Sequence, residues 1–293
     1  MGMRAAGRTG ARAKSARGVD VPRILTYAIL AAGAFVMLFP LYWMVATSLK
    51  LLPETRQFPP VWFPLPPRWG NYAEALRFQP FGRYFLNSFL IAAPVVIGDA
   101  IVSSFVAYGF ARLRFPGRDA IFMVLVSTMM VPFIVRLVPL FLIFQRLGWI
   151  NSYWPLIVPS LFGTPFHIFL LRQFYRALPG DLAEAARLDG LNEFGIWWRI
   201  YVPLSKPAIA TVAIFAFQQS WNDFLAPLIF LNDNKKYTVA LGLANMLSQS
   251  GASTQYWNLL MASAAMAVVP MILLFVIFQR YFVRGIALSG VKG

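Results

Sequence analysis

Two groups of residues in this sequence could do chemistry, and neither could break a covalent bond. In the first, Glu184, Ala185, Ala186, Asp189 and Gly190 are followed at fixed distance by Ile200 and Pro203. Carboxylates so placed make charge-assisted hydrogen bonds to basic groups on another surface, and the alanines let its backbone approach closely. In the second, Gln218, Gln219, Asn222 and Asp223 cover less than half of a helix circumference at about 100° per residue. This stripe could hydrogen-bond solute hydroxyls beside Trp221 as a stacking platform. It could equally serve helix packing or contact with a neighbouring membrane chain. The sequence has no Gly-x-x-x-x-Gly-Lys-Ser/Thr phosphate loop, no His-Glu-x-x-His pair, no nucleophile–base pair and no Cys. Any ATP hydrolysis therefore belongs to another chain.

The elements that must position these residues follow from composition. Of the 293 residues 59% are hydrophobic and 13% charged, and the mean hydropathy is +0.62. Soluble domains carry about a quarter charged residues, so this is an integral membrane protein. A helical span needs about 20 mostly apolar residues. Six blocks qualify: 24–47, 86–111, 120–143, 154–171, 208–231 and 257–283, of which the fourth is the shortest. Ten-residue alternating strands are absent, which predicts an all-α bundle and not a barrel. Residues 1–23 form a basic arm, 24–283 the six-span domain with its polar loop at 172–206, and 284–293 a tail.

The net charge of +15 does not point to nucleic acid, because it is distributed by loop. The arm, the second connection, the 172–206 loop and the tail hold seventeen of the 26 Lys and Arg. The opposite connections hold eight, including Lys50, Arg146 and Lys235-Lys236. The positive-inside rule makes both termini and the 172–206 loop cytoplasmic. An organellar transit peptide is disfavoured, since the arm has few Ser and no amphipathic stripe. The first block is too long for a cleaved signal.

Within the loop, Pro179-Gly180 breaks the preceding element. Asp181 is the expected N-cap, with Glu184 completing a capping box. Gly190 ends this helix, Asn192-Glu193 starts a second, and Pro203 and Pro207 limit it. In the spans, Pro94, Pro132, Pro139, Pro165, Pro227 and Pro270 predict kinks or breaks. Asp99 and Arg136 are expected to pair, and His167 to be a satisfied interior histidine. Loop 50–84 is Pro- and aromatic-rich with a short helix at 71–76, and connection 232–256 is polar; both lie outside.

The pattern Glu-Ala-Ala, three residues, Gly, nine residues, Ile, one residue, Leu-Pro marks the permease subunits of ATP-binding-cassette importers. Glu184, Ala185, Ala186, Gly190, Ile200 and Pro203 stand at its spacing, with Val202 in place of the leucine. Ala107–Arg118, Trp221–Leu228 and Gly285–Gly293 resemble segments of the carbohydrate-importer members. The chain is most similar to the shorter six-span partner of the maltose-type pair. The resemblance implies the type I importer permease fold, with Glu184–Pro203 as a coupling helix and brace seated in an ATPase groove. It implies that Leu182, Ala185 and Ala186 share the docking face.

It also implies a second permease subunit, two ATPase subunits that hold ATP and Mg, an extracytoplasmic solute-binding protein and a sugar substrate. The location implied is the plasma (inner) membrane of a bacterium or archaeon. Connection 232–256 would meet the binding protein, and the tail near Gly290–Gly293 the ATPases. A polyol or glycerol phosphate is the alternative solute. A gradient-driven transporter using Asp99 and Asp223, or a membrane enzyme, leaves the folded loop unexplained.

Overall fold

A computed structural model describes the backbone of residues 21–250 and 256–290. The basic arm to residue 20 and the last three residues of the tail lie outside the described residues. Every regular element described is helical. The chain divides into two units, 1–44 and 45–293. The first contains most of α1 (Val21–Ser48), whose apolar side chains from Leu25 to Leu38 are exposed.

In the second unit, a short helix α2 (Gly70–Phe78) precedes the long α3 (Phe81–Arg112), which runs on through Pro94. The third block is two helices, α4 (Arg118–Ser127) and α5 (Phe133–Arg146). Pro132 explains the break. It forces Val131 into extended backbone (ψ 110°), and the two arms diverge by 98°. The fourth block is also interrupted: α6 (Trp154–Ile157) and a 3-10 stretch lead to Gly163, then α7 (Pro165–Ala177). Gly163 has φ +83°, and a Cβ there would meet Ser103 Oγ at 3.2 Å, so the turn requires glycine. Thr164 precedes a proline and is extended, which lets Pro165 open α7.

The loop folds as α8 (Asp181–Leu188), α9 (Glu193–Ile196), a π-turn over Trp197–Tyr201, and α10 (Val202–Leu204). The fifth span then begins as α11 (Lys206–Asn222), inclined 83° to the Glu193–Leu204 segment. It does not continue as one helix to residue 231. It stops at Asn222, and α12 (Leu225–Phe230) follows. Connection 232–256 is not a plain polar link, since it folds as α13 (Val239–Ser250) before α14 (Trp257–Gly290). Among the described residues, four helical stretches are long and apolar enough to cross a membrane, or up to six when each bent pair counts as one. The chain breaks at Pro132 and Pro165 as expected, whereas α3, α5, α12 and α14 continue through Pro94, Pro139, Pro227 and Pro270.

Among the described residues, three buried clusters hold unit two together. One joins α3, α7 and α11 to the folded loop through Tyr108, Leu171, Tyr175, Ala183, Trp197 and Tyr201. A second, at the opposite end of α3, collects Phe81, Tyr84, Trp221, Met246 and Leu259. The third packs Phe144 against Phe230.

Candidate docking loop and polar cavity

Helix α8 is short, so its position depends on what surrounds it and not on its own stability. Ala183 and Ala186, three residues apart, face the bundle and are 3% and 4% exposed. Leu182, Ala185 and Asp189 fall about a quarter turn away, where an open concavity of about 630 Å³ extends to Ile200 and Arg199. The expected trio of Leu182, Ala185 and Ala186 all border this concavity. At about 100° per residue Ala186 follows Ala183 inward, so only its edge reaches the concavity, and Leu182 and Ala185 are the outward pair. Leu188 is 90% exposed, and Pro203 is exposed on α10.

Glu184 is exposed on the other flank of α8, lining a groove with Arg112, Arg114 and Arg187. The capping box is absent. The N-cap is Gly180 and no side chain caps the helix, because Asp181 has moved into the first turn. Asp181 and Glu184 at the start, and Arg187 at the end, still oppose the helix dipole. Gly190 turns the chain at φ +83°, as its position implied. Asn192 caps α9 by accepting the Gly195 N–H at 2.8 Å.

The brace rests on contacts between residues far apart in sequence. Tyr108 donates to Glu193 Oε2 at 2.5 Å, and Arg187 Nε donates to Glu193 Oε1 at 2.7 Å, so one carboxylate ties α3, α8 and α9. The Arg187 hydrogen bond holds the Glu193 carboxyl below its ordinary value and raises Arg187. In the π-turn, Trp197 Nε1 donates to Ser104 Oγ at 3.0 Å, and Ser104 shares a 2.6 Å hydrogen bond with Tyr175. Nothing in the sequence signals this node, because its partners are separated by 71 to 93 residues.

The second group of chemically capable residues separates when folded. Gln219, Ser220 and Asp223 line a cavity of about 80 Å³ opposite Asp99, Ser160 and Thr164. Gln218 and Asn222, four residues apart, are exposed on a different face of α11. Trp221 is no open platform. It is 3% exposed, its Nε1 donates to Ala267 O at 3.1 Å, and its ring lies against Phe217 and Phe89. Asp223 accepts the Ala226 N–H at 3.2 Å, which starts α12 and ends the straight course of α11.

Asp99 does not pair with Arg136. Its partner is His167, at 2.5 Å, and both are buried. The Pro132 break turns α5 away, and Arg136 is exposed with its guanidinium 5.9 Å from the Phe133 ring. Sequence reasoning placed Gln219 and Asp223 on the stripe but did not single out Ser160, Thr164 or Ser220 as cavity residues. Nothing in their spacing gives the direction of the cavity.

Broken apolar helices around a polar cavity, with a braced helix displayed on a loop, define a multi-pass helical membrane protein. Residues 100–288 match the family described as binding-protein-dependent transport system inner membrane component. The chain is 35% identical over 260 residues to the probable ABC transporter permease protein YurM of Bacillus subtilis (strain 168), covering 87% of this chain and 84% of that protein. It is 35% identical over 278 residues to the sn-glycerol-3-phosphate transport system permease protein UgpE of Yersinia enterocolitica, with 92% and 96% covered. It is 38% identical over 210 residues to the arabinooligosaccharides transport system permease protein AraQ of Halalkalibacterium halodurans, with 72% and 74% covered.

The crystal structure of a bacterial ABC transporter involved in the import of the acidic polysaccharide alginate shares the fold. Its TM-score is 0.78 at 22% identity, over 89% of this chain and 96% of that one. The chain therefore belongs to the binding-protein-dependent transport system inner membrane component family, as a permease and the non-catalytic membrane part of an ABC transporter complex.

Proposed function

We propose that this chain forms one half of the translocation path of a carbohydrate importer. A second permease subunit supplies the other half, two ATPase subunits bind ATP and Mg, and an extracytoplasmic solute-binding protein delivers the sugar. Both termini and the 172–206 loop are cytoplasmic in this reading. The observation that carries it is the outward face of α8. Leu182 and Ala185 border a concavity and Leu188 is 90% exposed, while Ala183 and Ala186 fix the helix to its own bundle. A greasy, rigidly braced protrusion outside the apolar blocks needs a protein surface to cover it. Glu184, Asp189 and Gly190, with Ile200 and Pro203 on the brace, complete the ATPase-coupling surface. The test is Glu184→Lys together with Leu182→Glu. Both variants should insert normally and lose ATPase co-purification and uptake, and normal levels of both would refute the reading.

For the solute, the cavity wall supports a neutral polyhydroxyl compound. Its described lining contains Asp99, Asp223, Gln219 and hydroxyl side chains, and no cation. A phosphate monoester would meet two carboxylates there and no positive charge to neutralise it. The exposed carboxamides of Gln218 and Asn222 are suited to sugar hydroxyls where α11 faces the second permease. Similarity to a glycerol-3-phosphate permease supports the alternative solute. Uptake of labelled arabino-oligosaccharide against labelled sn-glycerol 3-phosphate separates the two readings.

A further inference from the structure

Arginines converge where α3 ends and α4 begins. Arg114 and Arg118 line an open concavity of about 400 Å³ with Phe115, Gly117, Asp119 and Ala120. Gly117 (φ +74°) turns the chain, and the Arg118 N–H closes that turn on Phe115 O at 3.3 Å. Arg118 Nε donates to Asp119 Oδ1 at 3.1 Å, and Arg172 Nη2 of α7 lies 3.6 Å from the same oxygen. Arg172 is held from behind. Its guanidinium sits 3.9 Å from the Phe122 ring centroid, and its Nε donates to Phe110 O at 3.3 Å. Arg176, one turn further along α7, is exposed and near enough to act on both Asp119 and Arg172 through its charge. The patch therefore sets four guanidinium groups against the Asp119 carboxylate. The adjoining groove adds Arg112 and Arg187 against Glu184 and Glu193, which leaves the positive excess unchanged.

Immediately beyond the patch the surface turns apolar. Ile121, Met123 and Val124, within the first two turns of α4, are exposed on the segment that starts the third span. We propose that the concavity binds the headgroup phosphate of an anionic phospholipid in the leaflet that α4 enters. A cationic hollow beside an apolar helix face matches both parts of such a lipid, the phosphate and the acyl chains. Arg114 and Arg118 contact the phosphate, because both line the concavity and a guanidinium fork suits phosphate oxygens. Arg172 and Arg176 add to the positive field, and Asp119 holds Arg118 and Arg172 in place. The positive end of the α4 dipole lies at the same point. A zwitterionic headgroup brings its own cation, so the excess charge favours a lipid with net negative charge. A free phosphate would satisfy the arginines but leave the Ile121–Val124 face without a role. Binding here requires only that α4 enters the membrane near Arg118, and is independent of the solute and of what docks on α8.

The experiment follows melting of the assembled, delipidated transporter as short-chain phosphatidylglycerol is added. Wild type should be stabilised at concentrations where short-chain phosphatidylcholine has no effect, and added salt should weaken the response. Arg114→Gln should raise the half-saturating phosphatidylglycerol concentration about tenfold, the loss of one charge-assisted contact. Arg77→Gln removes the same charge from the end of α2, outside the patch, and should titrate like wild type. Equal responses of wild type to the two lipids would overturn the proposal. So would an Arg114→Gln titration like wild type, or equal losses in Arg114→Gln and Arg77→Gln. Stabilisation by inorganic phosphate at the same concentration would put a free anion in the concavity and overturn the lipid assignment. Arg114 is exposed, so its replacement leaves the packed core intact. If that variant still fails to assemble, mass spectrometry of the phospholipid retained by the wild-type complex decides. Enrichment of phosphatidylglycerol over its share in the membrane supports the site, and retention at the bulk ratio overturns it.

Discussion

Replacing Trp221 tests whether an aromatic side chain beside a polar stripe handles solute or holds the bundle together. The indole is 3% exposed, with ring centroids 4.9 Å from Phe89, 5.4 Å from Phe217 and 5.9 Å from Phe85. Its N–H reaches Ala267 O at 3.1 Å, joining α11 to α14. Truncating a buried Trp to Ala typically costs about 3–5 kcal/mol through lost transfer energy and the cavity left behind. Each aromatic pair contributes about 0.5–1.5 kcal/mol beyond its area, so three neighbours place this site at the upper part of that range. Trp221→Phe keeps most of the ring contacts and loses one hydrogen bond to a carbonyl, about 1 kcal/mol, plus part of the buried area. The order expected in melting of the purified complex is wild type, then Phe, then Ala, with Ala lowest by a wide margin. Uptake by Trp221→Phe should retain the wild-type KM. A Trp221→Ala complex that melts like wild type but binds its solute poorly would refute the packing assignment.

Four further outcomes follow from the same contacts. Gly242→Ala places a Cβ 2.3 Å from the buried, hydrogen-bonded ring of Tyr84, so it should destabilise by about 1–3 kcal/mol despite alanine's better helix propensity. Gly98→Ala meets only the flexible end of Leu161, at 2.2 Å, and should melt close to wild type; the reverse order in a melting comparison contradicts this. Glu193→Gln should loosen the brace and reduce ATP-coupled uptake several-fold without preventing insertion, as read by transport and by limited proteolysis of the loop. The folded Glu193 carboxyl lies below its ordinary 4.5, so its stabilisation is full above that value and is lost as pH falls through the lowered one. Proteolytic opening of the loop should therefore rise as pH falls below the ordinary glutamate value in wild type and change little there in Glu193→Gln.

The parts of this protein legible in the sequence are those governed by local physics. Long apolar blocks mark spans wherever they occur, because a bilayer tests only length and polarity. Pro132 and Pro165 end helices because the residue before each is driven to extended backbone. Gly190 and Asn192 act within their own turns, and both do what their residue types require. The Glu184–Pro203 spacing is likewise carried by one contiguous segment. Asp181 illustrates the limit of such reasoning, since a cap depends on where the helix starts, and α8 starts one residue earlier than that reading required.

Only the tertiary structure decided which way each side chain faces and what it meets. The Gln218–Asp223 stripe reads as one surface in sequence, yet it splits into cavity, exposed face and core because α11 is packed on several sides and ends at Asn222. Asp99 found His167 and not Arg136 because two helix breaks, at Pro132 and Gly163, redirect the elements that carry its candidate partners. The carboxylate node at Glu193 and the hydrogen bonds from Asp99 and Arg112 of α3 to Thr164 and Tyr175 join residues more than sixty positions apart. Sequence determined the class of the chain and the spacing within its Glu184–Pro203 loop, because spacing along one segment is one-dimensional information. How that loop is braced against the bundle is a matter of which helices lie side by side, and it was settled only when the chain packed.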